Sequence, residues 1–352
     1  MDRRQFIKNA TILTCAMCTG CNLTFAKQYD FIYKNKTELP KKILIDACTM
    51  CQLNCPQCWR VTCPNRFKKG YLKFADYKEF IDKYSNITSV GISNKGEIFL
   101  NPELNKILEF SHDKGVKLSA WSGVNGNYIP DNIAELLVKT DFQGLTFSID
   151  GATNDIYKIY RVGGNIENVF ENIRKINFYK KKYKSKYPFM TYKFIVFGHN
   201  EHEIPLAKEK AKKLGIPIYF EANYAPQYSP IRDKKFVEKE TGMNFSDRND
   251  QYVSDWKKGK RAFFPCKNLW LEPIVNFDGE FFGCCYEADG KTFGDLNIFK
   301  QDYLEIMNSE TLIYAKKMLT DFNTPAKENI PCSKCEMYKK LKKCGIKLTD
   351  EV

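Results

Sequence analysis

Asp46-Ala47-Cys48-Thr49-Met50-Cys51-Gln52-Leu53-Asn54-Cys55-Pro56-Gln57-Cys58-Trp59 follows directly on the short apolar run Ile43-Leu44-Ile45. Within it Cys51, Cys55 and Cys58 stand in a C-x3-C-x2-C spacing, three thiolates offered to a centre that wants four ligands. Structural zinc is closed by four protein ligands. A four-iron cluster usually takes four cysteines, so one held by three keeps an iron free to bind something else. Cys48 with Cys51, and Cys55 with Cys58, also make two C-x2-C pairs, which leaves a four-thiolate zinc site as an alternative. Only three residues separate those pairs. Zinc ribbons need roughly a dozen or more to fold the chain back. Disulfides fit less well still, because three thiols so close together cannot all pair among themselves. The spacing favours the three-cysteine cluster.

Outward from this stretch, residues 41–223 alternate strand-like and helix-like segments, the pattern of a parallel α/β architecture. Strands are expected at Ile43 to Ala47, Ile87 to Ser93, Val116 to Ser122, Gly144 to Asp150, Met190 to Phe197 and Ile216 to Glu221. Helices are expected at Phe74 to Tyr84, Pro102 to Lys114, Asp131 to Lys139, Asn154 to Tyr160, Ile166 to Lys182 and Glu203 to Leu214. Six units with no seventh or eighth point to an open, partial barrel. Barrel chemistry collects at the C-terminal ends of strands, and unusual polar residues follow each strand here.

The cysteine loop follows the first strand, and with it the chain resembles the radical S-adenosylmethionine (SAM) superfamily. In that family the free iron chelates the amino and carboxylate groups of SAM. Asn94-Lys95-Gly96-Glu97, after the second strand, resembles the family's Gly-Gly-Glu motif. The resemblance assigns Gly96 and Glu97 to the SAM amino group; Lys95 departs from the usual first glycine, and Ile98 stands where proline often follows. Asn125-Gly126, after the third strand, is both a turn signal and similar to the family's Asn-Gly step. Ser148-Ile149-Asp150-Gly151 and Arg161 resemble the Ser-x-Asp-Gly and arginine segment of the SPASM-type subgroup. By that resemblance Ser148 and Arg161 hold the SAM carboxylate and nearby polar groups. Alternation along a strand puts Ser148 and Asp150 on one face, although Asp150-Gly151 also reads as a plain turn. The expected cofactor-binding residues are therefore Gly96, Glu97, Asn125, Ser148, Asp150 and Arg161. No residue is assigned a catalytic role, and His199, beside Asn200, is given none.

Residues 224–261 are rich in charged and amide residues and read as a linker with some helix. Residues 262–352 form a second, smaller cysteine-rich unit. Asn276-Phe277-Asp278-Gly279 lies between apolar flanks and predicts a hairpin with an Asp-Gly turn. Such a hairpin brings Cys266 and Cys284 toward one end. The spacing C-x12-G-x4-C from Cys266 to Cys284 resembles the opening of a SPASM domain or of its shorter relative, the twitch domain. With Cys332 and Cys335 these form the expected ligands of one auxiliary four-iron cluster, with Cys285 and Cys344 as substitutes. Zinc competes at this second site, because a C-x2-C pair joined by two distant cysteines also satisfies it.

Composition excludes a disordered chain: 43% of the 352 residues are hydrophobic and 14% aromatic. The net charge of +13 comes from lysines spread almost everywhere. No stripe or RNA-binding signature gathers them, so nucleic acid is not an expected partner. The fourteen cysteines fall at positions 15–21, 48–63, 266–285 and 332–344 and leave a cysteine-free middle, as cluster ligands do. The segment 1–40 stands apart. Asp2-Arg3-Arg4-Gln5-Phe6-Ile7-Lys8 resembles a twin-arginine export signal, and Cys18-Thr19-Gly20-Cys21 faintly resembles a lipoprotein cleavage site. Cys15, Cys18 and Cys21 repeat a C-x2-C-x2-C spacing there. SAM and low-potential reductants are made in the cytoplasm, which favours that compartment against export or anchoring.

The resemblance runs from Lys41 to Cys344. It implies a partial (β/α)6 TIM-like barrel with a small SPASM/twitch-like domain, and reductive cleavage of SAM at the Cys51, Cys55 and Cys58 cluster to give a 5'-deoxyadenosyl radical. The implied donor is a flavodoxin or ferredoxin. The expected reaction is oxidation of a small molecule. Modification of a peptide or protein is the alternative, and a non-catalytic iron–sulfur or zinc protein is the second one.

Overall fold

The computed structural model describes residues 39–348 apart from 67, 246, 260–265, 267 and 285–292. The expectations placed on the N-terminal segment and on Cys285 lie outside the described residues. Eight strands form one sheet: β1 Lys42–Ile45, β2 Ser89–Gly91, β3 Lys117–Val124, β4 Gly144–Ser148, β5 Phe189–Val196, β6 Ile218–Ala222, β7 Ile274–Val275 and β8 Phe281–Gly283. Their order across the sheet is β6-β5-β4-β3-β2-β1-β7-β8, so β6 and β8 are its two ends and the sheet stays open. Pairings from β6 to β7 are parallel, and β7 and β8 make an antiparallel hairpin. The six-unit partial barrel expected from the sequence is present.

Alternation decides what each sheet face carries. The outer face presents Ile43, Ile45, Val90, Ile92, Leu118, Ala120, Leu145, Phe147, Met190, Tyr192, Phe194 and Val196, all in one core with the helices. Helix Ile166–Lys182 shows why such helices form. Asn165 caps it by accepting from the Glu167 amide, and Ile166, Val169, Phe170, Ile173 and Ile176 make the buried stripe. Each large apolar side chain buried this way contributes about 1.5–3 kcal/mol as an upper estimate. The opposite face has a different character. Leu44 joins Ile274 and Phe282 in one small cluster, and Ile195 and Phe197 join the cysteine loop in another. Between them alternation leaves Ser119, Thr146, Ser148, Thr191 and Lys193 on the inner face.

Two features exceed what the sequence predicted. The hairpin at Asn276 to Gly279 forms as expected, but its first strand extends the barrel sheet by pairing with β1. Leu44 N donates to Pro273 O and Asp46 N to Val275 O, each at 3.0 Å. The short β7 reads as half a hairpin in sequence, and only its parallel partner reveals the second role. Residues 224–261 also do more than link. Helix Arg248–Lys257 lies against the β6 edge, where Gln251 accepts from Ala222 N at 2.7 Å and donates to Phe220 O at 3.2 Å. Side-chain amides thereby cover an edge that would otherwise offer unpaired backbone. Beyond the hairpin two helices follow in succession, Tyr303–Met307 and Glu310–Thr320. Asn308 and Ser309 part them, Ser309 as the cap of the second.

Candidate cofactor site at the strand ends

The cysteine loop leaves β1 and is pinned on three sides. Thr49 N donates to Gly70 O at 3.0 Å, Asn54 N to Val162 O at 2.9 Å, and Glu97 N to Met50 O at 2.8 Å. Cys58 then stands at the N-cap of helix Trp59–Thr62, whose Arg60 donates back to Cys51 O at 3.3 Å. Cys55 is buried with Leu53, Tyr160, Ile195 and Phe197, and Cys51 and Cys58 pack on that same apolar group. One apolar group therefore gathers all three expected ligands.

Two of those sulfurs have a hydrogen-bond donor from the barrel. Asn125 Nδ2 lies 3.3 Å from Cys51 Sγ, and Arg161 Nη1 lies 3.7 Å from Cys55 Sγ. Burial pushes the Cys51 thiol up to about 11 and raises Cys55 as well, the latter opposed chiefly by Arg161. Without metal the pocket holds thiols, and a bound metal displaces their protons. Cys48 is buried and turns toward Met50 O at 3.8 Å. Burial also raises it to about 11. Among the described residues no three of His, Cys, Asp or Glu converge on a single-ion site.

The motif residues assemble around this pocket. A Cβ on Gly96 would lie 2.6 Å from the Thr49 Cα and closer still to the Cys48 carbonyl oxygen, so only glycine allows the turn to touch the loop. Glu97 is fully buried. Its Oε2 accepts from Asn125 N at 2.6 Å, while its Oε1 has no hydrogen-bond partner. Desolvation pushes its carboxyl up to about 7 against the pull of the surrounding amides. An ammonium group placed at Oε1 would satisfy that oxygen and restore its charge. Lys95, the departure from the expected glycine, donates its amide to Asp46 Oδ1 at 2.9 Å and sets its ammonium 3.5 Å above the Phe282 ring. The turn thus touches the β8 hairpin as well.

Asn125 is the hub: its amide meets Glu97, and its side chain meets Cys51 and, at 3.2 Å, Gln52. Asp150 sits with φ 55° and is wholly buried, its Oδ1 accepting from Ile195 N at 2.7 Å and its Oδ2 from Arg161. Both oxygens are engaged by protein, so Asp150 acts by aiming Arg161. The guanidinium keeps one buried nitrogen, Nε, without a partner. Ser148 lies below, on β4, facing the β3 bulge. Asn200 staples Asp150 O and Ile195 O at 3.0 and 2.9 Å, and His199 stacks on Phe197. Gln52 and Arg60 are site residues that sequence reasoning missed, since neither sits in a motif with a recognisable spacing. The donor set and the orphaned Glu97 and Arg161 atoms fit a three-cysteine cluster with a zwitterionic amino-acid ligand beside it.

In the second unit Cys266, Cys284, Cys332 and Cys335 all pack on the main core. Burial pushes Cys332 up to about 12. Cys335 caps helix Glu336–Lys343, and the exposed Cys344 follows its far end, about 12 Å along the axis. That distance separates Cys344 from a site containing Cys335. Lys68, beyond the cysteine loop, pairs with Asp278 and Glu280 of the hairpin at 3.0 Å each, tying the two units together.

Comparison with known proteins bears on the fold and on the C-terminal unit. Residues 266–336 match the SPASM iron–sulfur cluster-binding domain. SuiB of Streptococcus suis bound to its precursor peptide SuiA superposes with a TM-score of 0.59 at 14% identity, over 89% of this chain and 73% of that one. SuiB bound to S-adenosylmethionine gives 0.59 at 13% identity, over 96% and 82%. The protein anSMEcpe with bound AdoMet and the Kp18Cys peptide gives 0.54 at 17% identity, over 85% and 87%. No curated protein sequence matches the chain.

Proposed function

We propose that this chain, which by its SPASM domain and its fold stands in the SPASM subgroup of the radical SAM superfamily, cleaves SAM reductively to abstract hydrogen from a substrate. The observation that carries the reading is the pocket holding Cys51, Cys55 and Cys58 together, with the unpartnered Glu97 Oε1 one residue contact away through Asn125. When bound, the cluster and SAM supply the chemistry: one electron splits SAM into methionine and a 5'-deoxyadenosyl radical that takes a hydrogen atom. The chain's own residues do the rest. Cys51, Cys55 and Cys58 would hold the cluster through their three thiolates. Glu97 accepts the SAM ammonium, and Arg161, aimed by Asp150, meets a carboxylate. Tyr160, Ile195 and Phe197 keep water from the sulfurs.

Cys266, Cys284, Cys332 and Cys335 would hold one auxiliary cluster, and such a cluster would supply an electron acceptor for a net oxidation. The reading extends to a small molecule as substrate, a flavodoxin or ferredoxin as donor and the cytoplasm as compartment. A peptide substrate is the second reading, favoured by the peptides bound in the SuiB and anSMEcpe structures. Anaerobic reconstitution with iron and sulfide, followed by dithionite and SAM, tests the proposal. 5'-Deoxyadenosine is the expected product, and its absence from cluster-loaded protein would favour a binding or electron-transfer role.

A further inference from the structure

The inner face below the cysteine pocket carries a cation, Lys193, that the proposed function does not use. Strand register sets Ser148, Lys193 and Tyr219 side by side across β4, β5 and β6. Lys193 lies two residues before Ile195 on the same face, about 6.6 Å further down the strand. Ile195 touches the cysteine pocket, so Lys193 faces the space directly beneath it.

A bulge in β3 shapes this space. Ala120 pairs with Leu145 and Val124 with Phe147, so four steps on β3 oppose two on β4. The surplus around Trp121, Ser122 and Gly123 swings inward, and bulges of this kind re-aim groups next to active sites. Gly123 has φ 123°, and a Cβ there would meet Ser148 Oγ at 2.5 Å and Lys193 Nζ at 3.0 Å. Backbone, serine and ammonium thus crowd one spot.

The charges around that spot do not balance. Arg161 is matched by Asp150, and Arg248 lies 3.3 Å from Glu221. Among the described residues these are the charged groups that act most on Lys193, Glu221 foremost. Of these described groups three cations face two carboxylates, and Lys193 belongs to neither ion pair. Its ammonium donates to Ser122 O at 2.9 Å and has no other acceptor among the described residues. An ammonium carries three donors, so two remain. Desolvation by the surrounding barrel depresses its pKa, which a bound anion would reverse.

We infer that Lys193 anchors an anionic group of the substrate, a carboxylate or a phosphate, on the β4–β6 wall beneath the SAM site. This deepens the function proposed above and rests on its placing the substrate inside the barrel. The anchor would orient the substrate so that the bond to be broken points up toward the cysteine pocket.

The test uses the cluster-reconstituted full chain loaded with SAM, kept without reductant so that nothing turns over. Acetic anhydride labelling of Lys193, read by peptide mass spectrometry, is compared with and without millimolar acetate or inorganic phosphate as probe anions. At least a threefold loss of labelling at Lys193, with exposed lysines such as Lys213 unchanged, is expected. Protection by acetate alone would identify a carboxylate, and by phosphate alone a phosphate. Equal labelling of Lys193 with and without either anion would overturn the inference. Full protection on adding SAM alone would overturn it too, because the anion would then be the SAM carboxylate. Neither result depends on 5'-deoxyadenosine formation, so failure here is distinct from failure of the radical reading.

Discussion

Arg161 Nη1 lies 3.7 Å from Cys55 Sγ while its Nη2 is held by Asp150, so one guanidinium joins the end of β4 to the cysteine loop. Replacing it by methionine leaves a fully buried carboxylate without its cation. Breaking a buried pair from one side costs about 3–5 kcal/mol. Arg161→Met should lower the urea midpoint by that equivalent, and Asp150→Asn with Arg161→Met should recover part of it. Additive losses in the double variant would show that the pair is not the source.

Cys55→Ala strips one ligand from the first pocket and leaves the SPASM domain intact. Iron content should fall by about one cluster, and 5'-deoxyadenosine formation should drop at least a hundredfold (about 2.7 kcal/mol at 1.36 kcal/mol per decade). Wild-type cleavage by this variant would refute the ligand assignment.

Cys335→Ala acts on the other centre. Iron per chain should fall while SAM cleavage without product survives. Loss of zinc at unchanged iron would show the second centre to be structural zinc.

Glu97 gives the pH dependence. Its carboxyl is raised from 4.5 to about 7 by burial, so its neutral form is the one the folded, unliganded protein favours. Its contribution to stability is full below pH 4.5 and is lost as pH rises through 7. Asp46, raised to about 6, adds the same sign over 3.8 to 6. The SAM ammonium wants the charged form, so SAM affinity should tighten as pH rises through 7. Glu97→Gln should remove most of that slope in a calorimetric titration from pH 6 to 8.

Gly96→Ala tests the close approach of turn and loop. Overpacking against backbone costs about 1–3 kcal/mol, and here the displaced atoms belong to Cys48 and Thr49, just before the ligands. Cluster loading should fall by more than half while the far-ultraviolet circular dichroism spectrum stays unchanged.

The strands and helices of the barrel were legible because alternation and helical periodicity act over neighbours. The gathering of Cys51, Cys55 and Cys58 on one apolar group was legible because they sit within eight residues. Assigning Cys266, Cys284, Cys332 and Cys335 to one centre needed the resemblance, since they lie beside a hairpin and a helix start far apart in sequence. What stayed hidden was long-range. The pairing of β7 with β1 and the use of Asp150 to aim Arg161 are tertiary facts. Lys193 illustrates the limit: Tyr192-Lys193-Phe194 reads as an ordinary alternating strand, and only the bulge opposite makes its ammonium conspicuous.

The most direct measurement is the electron paramagnetic resonance spectrum of anaerobically reconstituted, dithionite-reduced protein before and after adding SAM, with Cys335→Ala simplifying the signal to one cluster. A cluster with a vacant iron position predicts a clear shift in g-values when SAM binds. An unchanged spectrum, or protein that carries no iron at Cys51, Cys55 and Cys58, would contradict the account.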